Sequence, residues 1–409
     1  GDVGGRDGAC VSLSLSLSTF SLHSPPCSPP SLVPSQRATS SSPIKKTNTG
    51  EMGVPSLLRC LTTIPPRMTD EEYHSLPSVA AGAVAARAAV LPMTATSALL
   101  GIVLAKQANE RSPLFDSVAA VGTTVGLLLA HSANNMINDL VDAHRGLDRE
   151  DAFRARYGTH FLVHGHETKQ SYVRRYLAPT CVASLAVGTA LCLRAGDTRP
   201  HAWKFFGAGV VAAAGYTWPL KPLALGEAAV LAVWGPLMVS GTAYMATGTT
   251  SPRIAALATL YALGPTLVIM GKHIDKVDQS LRLGVHTLPA VIGERGARVL
   301  SAGMLVGQLA GVCFAAHRRL ISVPAALLTL AAAVRPAARV LRALTSPRPA
   351  ERPADFPEEV WPLFFVRNAF SYTQSVGTAF FVGMLYDTFT AFPYQELNID
   401  TPAFLQRAT

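Results

Sequence analysis

Charge is scarce in this chain of 409 residues: Asp, Glu, Lys and Arg make up 15% of it, against about 25% in an ordinary soluble domain. The mean hydropathy is +0.27. So little charge over so long a chain argues against a soluble fold and points to a membrane protein. The six cysteines, Cys10, Cys27, Cys60, Cys181, Cys192 and Cys313, form no C-x-x-C pair. That removes support for a disulfide framework or a thiolate metal site. Cys181, Cys192 and Cys313 stand in apolar runs and read as small hydrophobes. There is no Walker motif and no G-x-G-x-x-G between a strand and a helix, so the common nucleotide-binding loops are excluded. No basic run carries interleaved aromatics, and the net charge of +9 is therefore not read as nucleic-acid binding. No apolar run alternates with the period of barrel strands.

What the chain does have is apolar runs. Nine are expected as helices: roughly 79–105, 115–138, 176–194, 204–219, 225–247, 253–273, 298–317, 320–345 and 362–386. Most are near the ~20 residues that cross a bilayer. Gly, Ala, Ser and Thr are frequent inside them, which permits close helix–helix contact in lipid. The expected fold class is an all-α polytopic membrane bundle of about nine helices around a central cavity. The loop after the second run carries Arg145, Arg149, Arg154, Arg156, Lys169, Arg174 and Arg175, and the loop after the sixth carries Lys272, Lys276, Arg282, Arg295 and Arg298. The loop after the eighth adds Arg342, Arg348 and Arg352. All three fall on one side of the bilayer, which the positive-inside rule assigns to the cytoplasm or its topological equivalent.

Residues 1–77 read differently. The stretch SLSLSLSTFSLHSPPCSPPSLVPSQRATSSSPIKK is rich in Ser and Pro and cannot bury enough apolar surface to fold alone. It is expected as a disordered extension. Two readings stay open: an organellar transit peptide, or sequence upstream of a start at Met52 or Met68. The transmembrane domain is expected over 78–390, with a tail at 391–409.

The second run ends in HSANNMINDLVDAHRGLD, residues 131–148. Asn134, Asn138 and Asp142 recur at i, i+4 and i+8 and so stack on one helix face, with Asn135 and Asp139 in a neighbouring row. A helix C-terminus already bears partial negative charge, so clustered carboxylates there call for a cation. Hard oxygen ligands from Asp and Asn suit Mg²⁺, which readily shares phosphate oxygens. A plain helix end meeting water is the bland alternative. The sixth run strengthens the first reading, because it ends in VIMGKHIDKVDQSLRLGVHTLPAVIGE with Asp275 and Asp278 on the same side. Two acidic helix ends beside bases could hold Mg²⁺ and a diphosphate between them, with Lys272, His273, Lys276 and Arg145 meeting the remaining phosphate charge. In the loop RARYGTHFLVHGHE, His160, His164 and His166 read as solvated rather than metal-binding. Arg87 either snorkels or faces the cavity, and Arg367, Asn368 and Asp387 in the last run are equally open. A transporter would place its acids at mid-membrane, and a CDP-alcohol phosphatidyltransferase would need a single compact Asp signature that is missing.

The sequence resembles the UbiA superfamily of intramembrane aromatic prenyltransferases. The first motif matches at Asn138, Asp139, Asp142 and then Asp148. The second matches at Asp275, Asp278, Gly284, Thr287 and Leu288. Between them YTWPLKP supplies Tyr216, Pro219 and Lys221. The run at 225–248 and the Arg87, Leu91, Pro92 pattern look like the branch that prenylates 1,4-dihydroxy-2-naphthoate. The resemblance covers about residues 80–390. It implies Mg²⁺-dependent transfer of a polyprenyl group from a prenyl diphosphate to an aromatic quinone precursor in the bilayer. Metal ligands would be Asp142, Asp148, Asp275 and Asp278. Catalytic roles would fall to Asn138, Asp139, Asp142 and Asp275, and substrate contacts to Asn134, Arg145, Tyr216, Lys221, Lys272 and His273. Asp139 and His273 are both candidates for the proton acceptor. Two departures stand out. The acid after Asp142 comes at Asp148 rather than at Gly146, and the second motif's expected acid positions are occupied by Lys276 and Ser280.

Overall fold

The computed structural model describes residues 57–62, 65, 67–109, 115–149, 153–156, 158–354 and 356–397. The expected extension therefore lies outside the described residues up to residue 56, and the expected tail lies outside them from residue 398. No strand occurs among the described residues. Nine long helical segments do: α1 Pro92–Asn109, α2 Ser117–His144, α3 Lys169–Thr198, α4 Ala202–Gly215, α5 Gly226–Thr247, α6 Pro252–Asp275, α7 Leu288–His317, α8 Val323–Thr345 and α9 Phe364–Phe389. Six of the nine (α1, α3, α5, α6, α7 and α8) are long and apolar enough to cross a membrane by length and composition. In α2 the Asn and Asp cluster dilutes the apolar content, α4 is only 14 residues long, and in α9 Asn368, Ser371, Tyr372, Thr373 and Gln374 lower it. The protein is an integral, multi-pass membrane protein.

Local chemistry sets the helix starts. The Asp116 side chain accepts from the Ala119 N–H at the head of α2. Ser251 does the same for Ile254 ahead of Pro252 in α6, and Ser322 for Ala325 in α8. Each cap satisfies a donor that would otherwise lack a partner. Asp387, left open by the sequence, adds a hydrogen bond from the Ser322 N–H at 2.9 Å. Gly248 ends α5 at φ +78°, a conformation that favours glycine.

Small residues bring the helices close. A Cβ on Gly101 would stand 2.5 Å from the Val239 carbonyl oxygen, so α1 meets α5 there at backbone distance. The main core packs Leu100 and Leu104 of α1 against Ile254, Leu257 and Tyr261 of α6 and Phe380 and Met384 of α9. At one end of the bundle, Arg253 is buried and donates to the Leu320 carbonyl at 2.9 Å and to Gln107 at 2.8 Å. The other end of the bundle, where α2, α4 and α6 finish, carries the polar clusters.

Packing also begins earlier in the chain than position 78. Cys60, Met68, Tyr73 and Leu76 form a cluster with Phe161 and Tyr172. Tyr73 donates to the Glu167 carboxylate, and Glu167 pairs with Arg175 at 3.1 Å. This arrangement corrects the solvated-loop reading of the histidines. His160 is 1% exposed, and His166 lies 2.7 Å from Asp70 and stacks on Tyr73. The loop is covered by helices at 70–75 and 78–85 instead of facing water. Among the cysteines, Cys60 and Cys192 are buried while Cys313 is exposed on α7.

Candidate active site

The polar ends of α2 and α6 converge on a small pocket. Arg87, Asn138, Asp142, Asp148, Arg154, Lys221, Lys272, His273, Lys276, Ser280 and Thr287 line it. Asp142 lies one helical turn beyond Asn138, and the Asn138 amide donates to its carboxylate at 3.0 Å. Lys221, from the turn after α4, pairs with the same Asp142 carboxylate oxygen at 2.8 Å. Asp148 lies beyond the turn at Gly146, which adopts φ +68°. That turn carries Asp148 back over the end of α2, where its backbone N–H donates to the Asp142 carbonyl at 3.3 Å.

Asp139 has a different environment. It is in close contact with Arg87, and Arg154 and His160 lie 3.3 and 3.6 Å from it. Asp139 does not line the pocket. Its charge holds Arg87 and Arg154, which do. Arg87 also reaches Asn138 at 3.5 Å, so its side chain faces the site and does not snorkel. His160 sits 3.4 Å from Asp148. Burial pulls the His160 imidazole below its ordinary value, with Asp148 opposing. Burial opposes ionisation of Asp148, but the His160 hydrogen bond and the nearby Lys276 charge outweigh it and hold its carboxyl well below the usual range. Ligand atoms of Asp139, Asp148 and His160 all lie within 4.8 Å of one another. Asp139 is already neutralised by its two arginines, however, which weakens that trio as a metal site.

The expected second acidic cluster is absent from the pocket. Both oxygens of the Asp275 carboxylate are used elsewhere. They accept the backbone N–H groups of Phe365 at 3.1 Å and Val366 at 2.9 Å at the start of α9. Asp275 is a helix-capping group, and its expected role as metal ligand and catalytic acid is not supported by this placement. Asp278 is exposed and outside the pocket. Lys276 and Ser280 face the site in their stead, so the register counted back from Gly284 is kept. Burial pulls the Lys276 ammonium down to about 8, with Asp148 opposing and Lys221 adding to the effect. Thr287 is 1% exposed, and its hydroxyl has no hydrogen-bond partner among the described residues.

Of the remaining expected contacts, Arg145 is exposed and lies over the Trp218 ring at 5.9 Å, outside the pocket. His273 lines the pocket, and its Nδ1 is 2.5 Å from Glu227, a buried acid on α5 that the sequence did not single out. Asn134 donates to the Ala213 carbonyl at 2.7 Å and, like Tyr216, faces a second and larger space.

That larger space is a cavity of about 1440 Å³ among α2, α3, α4, α5, α6 and α9. Its walls are mainly apolar, with Leu127, Leu185, Phe206, Val233, Leu237 and Ile269 among them. The two spaces share Arg87, Asn138 and Lys272. A basic pocket thus adjoins a largely apolar chamber between membrane helices, with these three side chains between them. Arg154 and Glu227 were missed as site residues, and Arg87 was left between snorkelling and facing the cavity, because their partners lie on other segments. Arg87 lies 52 positions from Asp139, and Glu227 lies 46 from His273.

Fold and site together define a polytopic membrane prenyltransferase. The chain belongs to the UbiA prenyltransferase family, whose model matches residues 94–356. It is 31% identical over 235 residues to the 1,4-dihydroxy-2-naphthoate octaprenyltransferase of Escherichia coli, covering 56% of this chain and 73% of that one. It is 26% identical to the enzyme of the same name from Haemophilus influenzae, covering 56% and 74%. The fold is similar to the apo structure of a UbiA homolog from Aeropyrum pernix, with a TM-score of 0.51 at 18% identity, over 72% of this chain and 96% of that one.

Proposed function

We propose that the protein transfers a polyprenyl group from a prenyl diphosphate to 1,4-dihydroxy-2-naphthoate or a close aromatic relative, releasing diphosphate, with Mg²⁺ as cofactor. The observation that carries this reading is the junction of the two spaces at Arg87, Asn138 and Lys272. A prenyl diphosphate has a polyanionic head and an apolar tail, and its reacting carbon lies where the two meet. The basic pocket suits the head and the cavity suits the tail. The names of the Escherichia coli and Haemophilus influenzae relatives support the naphthoate acceptor.

Asn138, Asp142 and Asp148 present oxygen donors to the pocket, and this hard donor set fits Mg²⁺. When bound there, Mg²⁺ supplies charge neutralisation that makes diphosphate a better leaving group. Arg87, Lys221 and Lys272 face the negative charge that grows on the departing diphosphate as the allylic C–O bond loosens. The apolar walls keep water from the allylic cation, so the electron-rich ring of the acceptor is its available nucleophile. Once the C–C bond forms, the ring regains aromaticity by giving up the group on the attacked carbon, a proton or, from a carboxylate-bearing carbon, CO₂.

The test is a product assay on the purified protein. Prenyl diphosphates of several lengths are offered with a panel of aromatic acceptors, with and without EDTA, and products are read by mass spectrometry. A Mg²⁺-dependent adduct on dihydroxynaphthoate is expected. Adducts only on another acceptor would refute the naphthoate assignment, and diphosphate release without any aromatic adduct would refute the aromatic acceptor altogether.

A further inference from the structure

The two walls of the diphosphate pocket are chemically unlike. The wall built from the end of α2 offers Asn138, Asp142 and Asp148. Among the described residues, the wall built from the end of α6 and the segment up to α7 presents no carboxylate to the pocket. Lys272, Lys276, Ser280 and Thr287 line it, Asp278 is exposed, and both oxygens of Asp275 are committed to backbone N–H groups of α9. Among the described residues, five cationic side chains face the pocket against the carboxylates of Asp142 and Asp148. A second divalent cation on the α6 wall would find no anionic ligand among the described residues of that wall and would sit against an ammonium group. A diphosphate, by contrast, finds there positive charge and a buried hydroxyl, that of Thr287, without a hydrogen-bond partner among the described residues.

We propose that the α6 wall binds the diphosphate directly, with Lys276 standing in the place of a second metal ion, so that the site takes a single divalent cation, held on the α2 wall. This rests on the reading of the pocket as a prenyl-diphosphate site. Lys272 is placed to share the charge, and Thr287 is placed to donate its hydroxyl proton to a phosphate oxygen. An ammonium carries half the charge of a divalent ion and several donors, so it grips a phosphate as a point charge without needing protein anions of its own. The arrangement also fixes the diphosphate's orientation, with one end on the metal and the other on lysine.

The experiment counts metal ions. The full chain, reconstituted in lipid nanodiscs, is titrated with Mn²⁺ in the presence and absence of inorganic pyrophosphate, and bound Mn²⁺ is read by electron paramagnetic resonance. The expected result is one pyrophosphate-dependent Mn²⁺ per chain, with no spin coupling between ions. Two Mn²⁺ per chain, or a coupled pair, would overturn the proposal while leaving the prenyl-diphosphate reading intact. No pyrophosphate-dependent Mn²⁺ binding by folded protein would remove both. In variants, Lys276→Ala is expected to leave the count at one and weaken pyrophosphate binding about tenfold or more, with Lys276→Arg restoring most of it. The double variant K276D/S280D, which supplies carboxylates to the α6 wall, is expected to raise the count to two. Undiminished pyrophosphate affinity in Lys276→Ala would also refute the direct grip.

Discussion

Asp142 and Asp275 both stand near the end of an apolar helix beside basic residues, yet their carboxylates do different work. Asp142 faces the pocket with Asn138 and Lys221. Asp142→Asn should lower turnover on the order of 10²-fold or more, with an unchanged melting temperature in detergent; near-normal turnover would remove it from the site. Asp275 caps α9, and losing a cap costs about 0.5–2 kcal/mol. Asp275→Ala should therefore lower the melting temperature while turnover per folded molecule stays within a few-fold of the parent. A large loss of turnover at full stability would restore Asp275 to catalysis. Lys276 adds a pH dependence. Its ammonium is pulled down to about 8, so the free protein carries that charge below pH 8 and loses it above. Pyrophosphate affinity should fall as pH rises through about 8, and Lys276→Arg should flatten that fall because guanidinium stays protonated. The first motif was legible in the sequence because its residues lie on one helix face, where spacing alone fixes who stands beside whom. The fate of Asp275 was not, because its partners lie 90 and 91 positions away.

Helices were the most legible level. The expected apolar runs fall on helical segments, since a chain in lipid must satisfy its backbone internally, but the first, 79–105, is broken at Arg87 (φ +53°) into helices at 78–85 and 92–109. What periodicity cannot report is how a helix wall is shaped. In α4, Gly209 lines the large cavity, and a Cβ there would meet nothing within 4 Å. The absent side chain leaves room that a long polyprenyl tail can use. Gly209→Phe should shift preference toward shorter prenyl diphosphates, seen as a selective rise in KM for the long substrates with geranyl diphosphate little affected. An equal effect on all lengths would place the tail elsewhere. Gly271 shows the opposite situation. A Cβ there would lie 2.8 Å from the backbone of Val366, the very residue whose N–H Asp275 accepts. Gly271→Leu should push α9 from α6, break that cap and destabilise the protein by about 1–3 kcal/mol, read as a lower melting temperature.

At the scale of the whole molecule, the site and the basic loops occupy one end of the bundle. Arg154, which the sequence counted only as loop charge, and Lys276, which it expected at the phosphates, both line the basic pocket, and Arg348 donates to the Asp275 carbonyl at 3.2 Å. On the proposed function, the charge that orients the chain by the positive-inside rule is thus in part the charge that holds its substrate, which ties topology to function. The site must open on the side where the charged head of a prenyl diphosphate is delivered. Thiol labelling tests this in sealed vesicles of known orientation, using single cysteines in a background stripped of the native ones. Arg149→Cys lies just past α2 in the basic loop, Arg348→Cys follows α8, and Thr249→Cys lies between α5 and α6; all three positions are exposed. A membrane-impermeant maleimide should label the first two from the cytoplasm-equivalent face and the third only from the opposite face. Pyrophosphate with Mg²⁺ should protect an introduced cysteine at Ser280, which lines the pocket, and leave Thr249→Cys untouched. Labelling of Arg149→Cys and Thr249→Cys from one face would separate the basic loops from the orientation they are taken to set, and with it the link between how the chain enters the bilayer and where it binds diphosphate.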